Sequence, residues 1–64
     1  MDRRVIDLDQ IERKTLIPKA SLRYKRHLGE LPFLFRLGRR LVAYEDEVDA
    51  WIAEQRQTTS RRAV

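Results

Sequence analysis

The basic side chains between residues 13 and 40 are the part of this sequence whose residue types point most directly to chemistry. That segment holds nine lysines and arginines and one acidic residue, Glu30, whereas the flanks hold five basic and nine acidic residues. A surface with so many cations attracts a polyanion, because its positive potential raises the local concentration of negative ligands. The plainer interpretation is a solvated face that keeps a small protein soluble. Which interpretation is favoured depends on where the secondary-structure elements place these cations.

Other kinds of chemistry find little support. The 64 residues make one small domain with no cysteine and one histidine, so we predict no disulfide, no metal site and no cofactor. Asp46, Glu47 and Asp49 suit the start of a helix, where carboxylates stabilise the positive end of the dipole. We therefore predict that the protein is not an enzyme. No stretch approaches the roughly 20 apolar residues of a membrane span, and we expect a cytoplasmic protein with no membrane partner.

Two helices are predicted in the first half of the chain. Asp7 suits the N-cap of the first helix, and Leu8 and Ile11 share its inward face. Pro18 fits the first turn of a second helix over residues 18–28, which Gly29 ends in the left-handed conformation. The two helices and their connection predict a helix-turn-helix whose second helix carries many of the cations.

The second helix has an apolar spacing of four residues. Ala20, Tyr24, Leu28 and Leu31 recur at i, i+4, i+8 and i+11, and we predict that they form the inward stripe. Tyr24 on the surface, stacking or contacting a phosphate, is the alternative. His27 lies near the end of this helix, where a charged imidazole is favoured and a phosphate contact is feasible.

A β-hairpin and a third helix are predicted in the second half. Phe33, Phe35 and Leu37 alternate with other residues at the period of a strand, and residues 41–44 return as a second strand. Gly38 supplies the tight turn, which the two arginines at 39 and 40 complete. The third helix is expected to begin at Asp46 as its N-cap, and the chain from residue 57 onward is expected to be disordered.

These elements predict an α+β fold with three helices and a two-stranded hairpin between the second and third. Residues 1–6 form an N-terminal arm, residues 7–56 the domain and residues 57–64 a disordered tail. The predicted core comprises Leu8, Ile11, Ala20, Tyr24, Leu28, Phe35, Leu37, Tyr44, Val48, Trp51 and Ile52.

The order of elements and three short motifs resemble a known group of DNA-binding proteins. The motifs are the link "GELP" at residues 29–32, the wing "LGRR" at 37–40 and the helix "VDAW" at 48–51. The chain is similar, over roughly residues 8–56, to the small phage excisionases and AlpA-type regulators of the MerR-like winged helix-turn-helix group. Pro18 stands where that group often has a serine cap, and Lys25 and Arg26 stand where it often has inward apolar residues.

The resemblance implies a winged helix-turn-helix that binds double-stranded DNA sequence-specifically. It implies DNA contacts from the second helix by Lys19, Ser21, Arg23, Lys25, Arg26 and His27, and from the wing by Arg36, Arg39 and Arg40. As an excisionase, the protein would bend attachment-site DNA and favour excision by a phage or plasmid integrase. As an AlpA-like protein, it would regulate transcription with the same surface.

A further alternative belongs to another class: a protein-interaction module whose basic face docks an acidic partner protein. The sequence shows no long C-terminal coiled coil, so we expect a monomer in solution that binds DNA cooperatively, side by side.

Overall fold

A computed structural model of the chain describes residues 3–62, with side chains through Thr59. The elements in order are β1 (Val5–Asp7), α1 (Leu8–Thr15), α2 (Lys19–His27), β2 (Phe35–Leu37), β3 (Arg40–Tyr44) and α3 (Glu45–Arg62). The predicted α+β winged helix-turn-helix is confirmed, with a hairpin between the second and third helices. The sheet differs from the prediction in having three strands.

The third strand comes from the segment that was predicted to be an arm. β3 lies in the centre of an antiparallel sheet, with β1 on one side and β2 on the other. Ile6 pairs with Ala43 and is 2% exposed, so it belongs to the core. The arm prediction is therefore wrong for Val5 and Ile6, while residues 1 and 2 lie outside the described part of the chain. A strand of three residues is too short to show a periodicity in sequence.

The boundaries of the first two helices follow the predicted signals closely. Asp7 caps α1: its Oδ1 accepts from the Gln10 backbone N–H at 3.0 Å, and Gln10 Oε1 accepts from the Asp7 N–H at 3.2 Å. Leu16 ends α1 with φ 62°, a left-handed conformation that is uncommon for leucine. After α2, Gly29 takes the predicted left-handed conformation with φ 76°.

The rotation of α2 differs from the prediction. Leu22 is the inward residue, at 0% exposure, whereas Tyr24 is 64% and Leu28 50% exposed, and Ala20 is also exposed. These three core assignments are wrong. Helix α2 has nine residues and buries only one of them. A repeated apolar spacing of i, i+4, i+8 therefore did not identify its inward face. Lys25 lies three residues after Leu22 on the same side of the helix and is half-buried. Because it is a lysine, the inward side of α2 does not read as an apolar stripe in the sequence.

The hairpin has a short turn and an exposed tip. Leu37 pairs with Arg40 across Gly38 and Arg39, and Gly38 has φ 65°. Leu37 is 59% exposed, so its assignment to the core is wrong: it lies at the tip, where residues 36–40 are all exposed. Phe35 and Tyr44 are half-buried, and their ring centroids lie 5.5 Å apart.

Helix α3 begins earlier and ends later than predicted. It starts at Glu45, so Asp46 lies in its first turn and not at the N-cap. Val48, Leu8 and Ile11 are buried in the core cluster, as predicted. Trp51 and Ile52 are partly buried and pack against that cluster. The helix continues to Arg62, so the predicted disorder is wrong for residues 57–62; residues 63 and 64 lie outside the described part. A helix already nucleated by packing extends at small cost, even without apolar residues.

Candidate nucleic-acid interface

An open groove between α2 and the hairpin brings together cations from both elements. It has a volume of about 600 Å³, and its wall also includes the start of α1. The basic side chains that line it are Lys19, Arg23 and Arg26 from α2, and Arg36, Arg39 and Arg40 from the hairpin. Two acidic side chains, Asp7 and Asp9, line it as well. We call this site the arginine groove.

The placement of the α2 cations follows from one buried residue. Leu22 fixes the rotation of the helix because it packs fully into the core. Lys19, Arg23 and Arg26 are spaced i, i+4 and i+7, so they form one ridge along the helix. With Leu22 inward, this ridge faces the groove and the hairpin.

The hairpin cations are placed by strand register and by the turn. Arg36 pairs with Leu41 and Arg40 with Leu37, so both arginines lie in the last paired positions before the tip. Arg39 follows Gly38 in the turn itself and is exposed. All three arginines line the groove at this end of the sheet.

Acidic side chains neutralise cations mainly outside this groove. Arg3 Nη2 lies 3.2 Å from Asp46 Oδ1 and 2.7 Å from Glu47 Oε2. Lys14 Nζ bridges α1 to α3, at 3.3 Å from one carboxylate of that helix and 2.8 Å from another. Lys25 Nζ lies 3.6 Å from Glu30 Oε1.

The arginines of the groove have no such partners. Within residues 3–59, no carboxylate lies within ion-pair distance of Arg23, Arg26, Arg36, Arg39 or Arg40. Each guanidinium presents a planar fork of N–H donors that matches a phosphate. Like charges held close together repel, and a bound polyanion would relieve that repulsion. The arrangement is therefore suited to a phosphate backbone.

One ion pair does lie in the groove. Lys19 Nζ donates to Asp9 Oδ1 at 2.6 Å, which joins the start of α2 to the first turn of α1. This hydrogen bond lowers the pKa of Asp9 below its ordinary value and raises the pKa of Lys19. The Asp9 contribution to stability is present above the ordinary carboxyl pKa and is lost as the pH falls through the lowered value.

Replacing Lys19 by glutamine should therefore raise the pKa of Asp9 towards its ordinary value. A carbon-detected NMR titration of the side-chain carboxyl group measures this directly. Lys25→Gln is the control, because it removes the same charge from the same helix while Lys25 pairs with Glu30. An equal shift of the Asp9 pKa in both variants would contradict the assignment to the Lys19 hydrogen bond.

Three of the predicted DNA-contacting residues do not line the groove. Ser21 and His27 are exposed elsewhere on α2, and Lys25 is half-buried and paired with Glu30. Conversely, Asp9 was not predicted as a site residue. Its contact with Lys19 joins two helices, and no spacing in the sequence marks it.

The exposed side of α2 also carries Ala20 and Tyr24, which were predicted to lie in the core, in line with His27. Ala20, Tyr24 and His27 lie at i, i+4 and i+7 and are all exposed. They form a second ridge beside the cationic ridge, since Arg23 and Tyr24 are consecutive. None of these three residues lines the arginine groove.

No helix within residues 3–62 is both long enough and apolar enough to cross a membrane. In the same part of the chain, no three histidine, cysteine, aspartate or glutamate side chains are grouped in a way that could hold a metal ion.

Comparison with known proteins identifies no relative. No protein-family model matches the chain, and no curated protein or solved structure is significantly similar to it.

Proposed function

We propose that this protein binds double-stranded DNA through the arginine groove and reads its sequence with α2. The observation that carries the proposal is the set of five groove arginines, which have no carboxylate partner within residues 3–59. They come from the second helix and the hairpin of a winged helix-turn-helix, the two elements that such folds use on DNA. Phosphate is the polyanion that best matches grouped guanidinium forks.

Helix α2 has the dimensions of a recognition helix. Its diameter, about 10–12 Å with side chains, fits the major groove of B-DNA, which is about 12 Å wide, and its nine residues give it a length of about 13 Å. In that position Arg23 reaches a phosphate or the acceptor edge of guanine. Ala20 and Tyr24 offer apolar contact to a thymine methyl group, which gives the second ridge of α2 a role in sequence discrimination.

The hairpin acts as the wing. Arg39 and Arg40 extend from its tip, and arginine is attracted to the narrow, strongly negative minor groove as well as to phosphate. With α2 in the major groove, the wing reaches the backbone or the adjacent minor groove. Two attachments on different elements fix the orientation of the protein on the duplex.

The biological role that we favour is that of an excisionase, which bends attachment-site DNA to promote excision by a phage or plasmid integrase. Its support is the resemblance of the "GELP", "LGRR" and "VDAW" motifs. An AlpA-like transcriptional regulator would use the same groove. The discovery of an integrase gene next to the coding sequence would support the first role. We expect a cytoplasmic monomer that binds neighbouring DNA sites side by side.

The proposal is tested by fluorescence anisotropy with a labelled duplex over a series of salt concentrations. If all five groove arginines contact phosphates, the logarithm of the affinity should fall with the logarithm of salt with a slope of about −4.5. Selection from random duplexes then shows whether a sequence is read. Binding to duplex no tighter than to polyglutamate of matched charge would instead favour the protein-interaction alternative.

A further inference from the structure

A second groove lies in the C-terminal half of the chain, between the link that follows α2 and helix α3. It has a volume of about 260 Å³ and is lined by Pro32, Phe33, Glu47, Ala50, Trp51 and Glu54. Trp51 and Phe33 meet edge to face, with ring centroids 5.5 Å apart. We call this site the tryptophan groove; it shares no lining residue with the arginine groove.

The sequence around this groove repeats a pairing that the chain already uses. Tyr44 and Glu47 are three residues apart, and Trp51 and Glu54 have the same spacing seven residues later. In the first pair, the Arg3 guanidinium lies 3.9 Å from the centroid of the Tyr44 ring. Its Nη2 also donates to Glu47 Oε2 at 2.7 Å. An arginine thus contacts an aromatic ring and a carboxylate at the same time.

Glu54 differs from the other acidic side chains. Asp7 and Glu12 accept hydrogen bonds from backbone N–H groups. The other acidic side chains within residues 3–59, Glu54 apart, are in ion pairs: Asp9, Glu30, Glu45, Asp46, Glu47 and Asp49. For Glu54, that part of the chain provides neither a cation within 4 Å nor a donor to its carboxylate.

We propose that the tryptophan groove binds an arginine-bearing segment of a partner protein. The guanidinium lies over the Trp51 ring and donates to Glu54, while apolar neighbours of the arginine contact Pro32 and Phe33. A cation over tryptophan is the strongest form of cation–π contact, and arginine adds planar stacking to it. The groove is smaller than typical small-molecule pockets, which suits one side chain with its immediate neighbours.

Charge complementarity selects this occupant. Glu47 is already paired with Arg3, so Glu54 is the carboxylate of this groove that has no cation partner within residues 3–59; its charge repels the DNA backbone and attracts a cationic side chain. The interaction goes beyond the proposed DNA binding and does not depend on it, because the two grooves have no residue in common. A protein bound to DNA through one groove could therefore hold a basic partner with the other.

Trp51 is the only tryptophan of the chain, so its indole N–H resonance reports on this groove alone. The probe is the blocked pentapeptide Ala-Leu-Arg-Leu-Ala, compared with the same peptide containing citrulline, the uncharged analogue of arginine. We expect a saturable shift of the indole resonance with the arginine peptide and about tenfold weaker binding of the citrulline peptide, since bonds to charged groups are the stronger ones. Equal affinities, or no saturable shift, would overturn the proposal.

The matched variants are Glu54→Gln and Glu30→Gln, which remove the same charge from exposed positions. Glu54→Gln should remove the preference for the arginine peptide, whereas Glu30→Gln should preserve it, because Glu30 already pairs with Lys25. If both variants changed the preference for the arginine peptide equally, the attraction would be a general effect of charge, and the proposed site would be wrong. A shift of the indole resonance with protein concentration alone, lost in Glu54→Gln, would identify a second copy as the occupant and overturn the assignment to a partner protein. The outcome for DNA binding affects neither result.

Discussion

Replacing Arg39 and Arg40 together by alanine should weaken binding to duplex DNA about 100-fold at low salt. Hydrogen bonds to charged groups contribute about 1.5–3 kcal/mol each, and 1.4 kcal/mol corresponds to a tenfold change in affinity. The dependence on salt should become shallower by about two in its logarithmic slope, one for each phosphate contact removed. The same anisotropy titration as for the unmodified protein measures both quantities.

The fold should tolerate this change. Both arginines are exposed, and neither has a carboxylate partner among the described residues, so the melting temperature should stay nearly the same. The control removes two exposed arginines that do not line the groove, Arg4 and Arg56. An equal loss of affinity in both double variants would mean that only net charge matters, and a large loss of stability in the first would mean that its arginines are structural.

Several features of the fold could be predicted from the sequence because single residues determine them. Asp7 caps α1, Pro18 precedes α2 and Gly29 follows it in the left-handed conformation. Gly38 marks the hairpin turn for the same reason, since a positive φ is easy for glycine and costly for most other residues. Such signals act locally, so they do not depend on how the elements pack.

Features that depend on packing could not be predicted in this way. Strand β1 exists because Ile6 pairs with Ala43, a residue far along the chain. The start of α3 at Glu45 is linked to this strand, since the Glu45 N–H donates to the Arg4 carbonyl at 2.8 Å. Both strand β1 and the start of α3 therefore depend on contacts between residues far apart in the chain, and the local sequence indicates neither of them.

The candidate site shows the same division. The two sets of arginines were recognisable from charge and motif, but their common groove is a result of tertiary structure. The pair of Lys19 with Asp9 and the pair of Lys25 with Glu30 distinguish these lysines from the arginines beside them. Sequence composition assigns the same charge to all of them, whereas the structure shows which ones already have partners.

Replacing Leu22 by alanine should remove most of the stability of the domain, whereas replacing Tyr24 should not. Leu22 is fully buried in the core cluster, and truncating a buried leucine costs about 2–5 kcal/mol. A domain of this size has a total stability of roughly 3–10 kcal/mol, so the melting temperature should fall by about 10–30 °C. Tyr24 is mostly exposed, and its replacement should change the free energy of unfolding by about 0.5 kcal/mol or less.

Thermal denaturation followed by circular dichroism at 222 nm compares the two variants directly. The i, i+4, i+8 stripe of the sequence predicts the opposite order, with Tyr24 as the structural residue, so the experiment decides the rotation of α2. That rotation also decides the interface: with Leu22 inward, Lys19, Arg23 and Arg26 face the groove. If Tyr24→Ala proved the more destabilising change, α2 would be turned and its arginines would no longer share a surface with those of the wing.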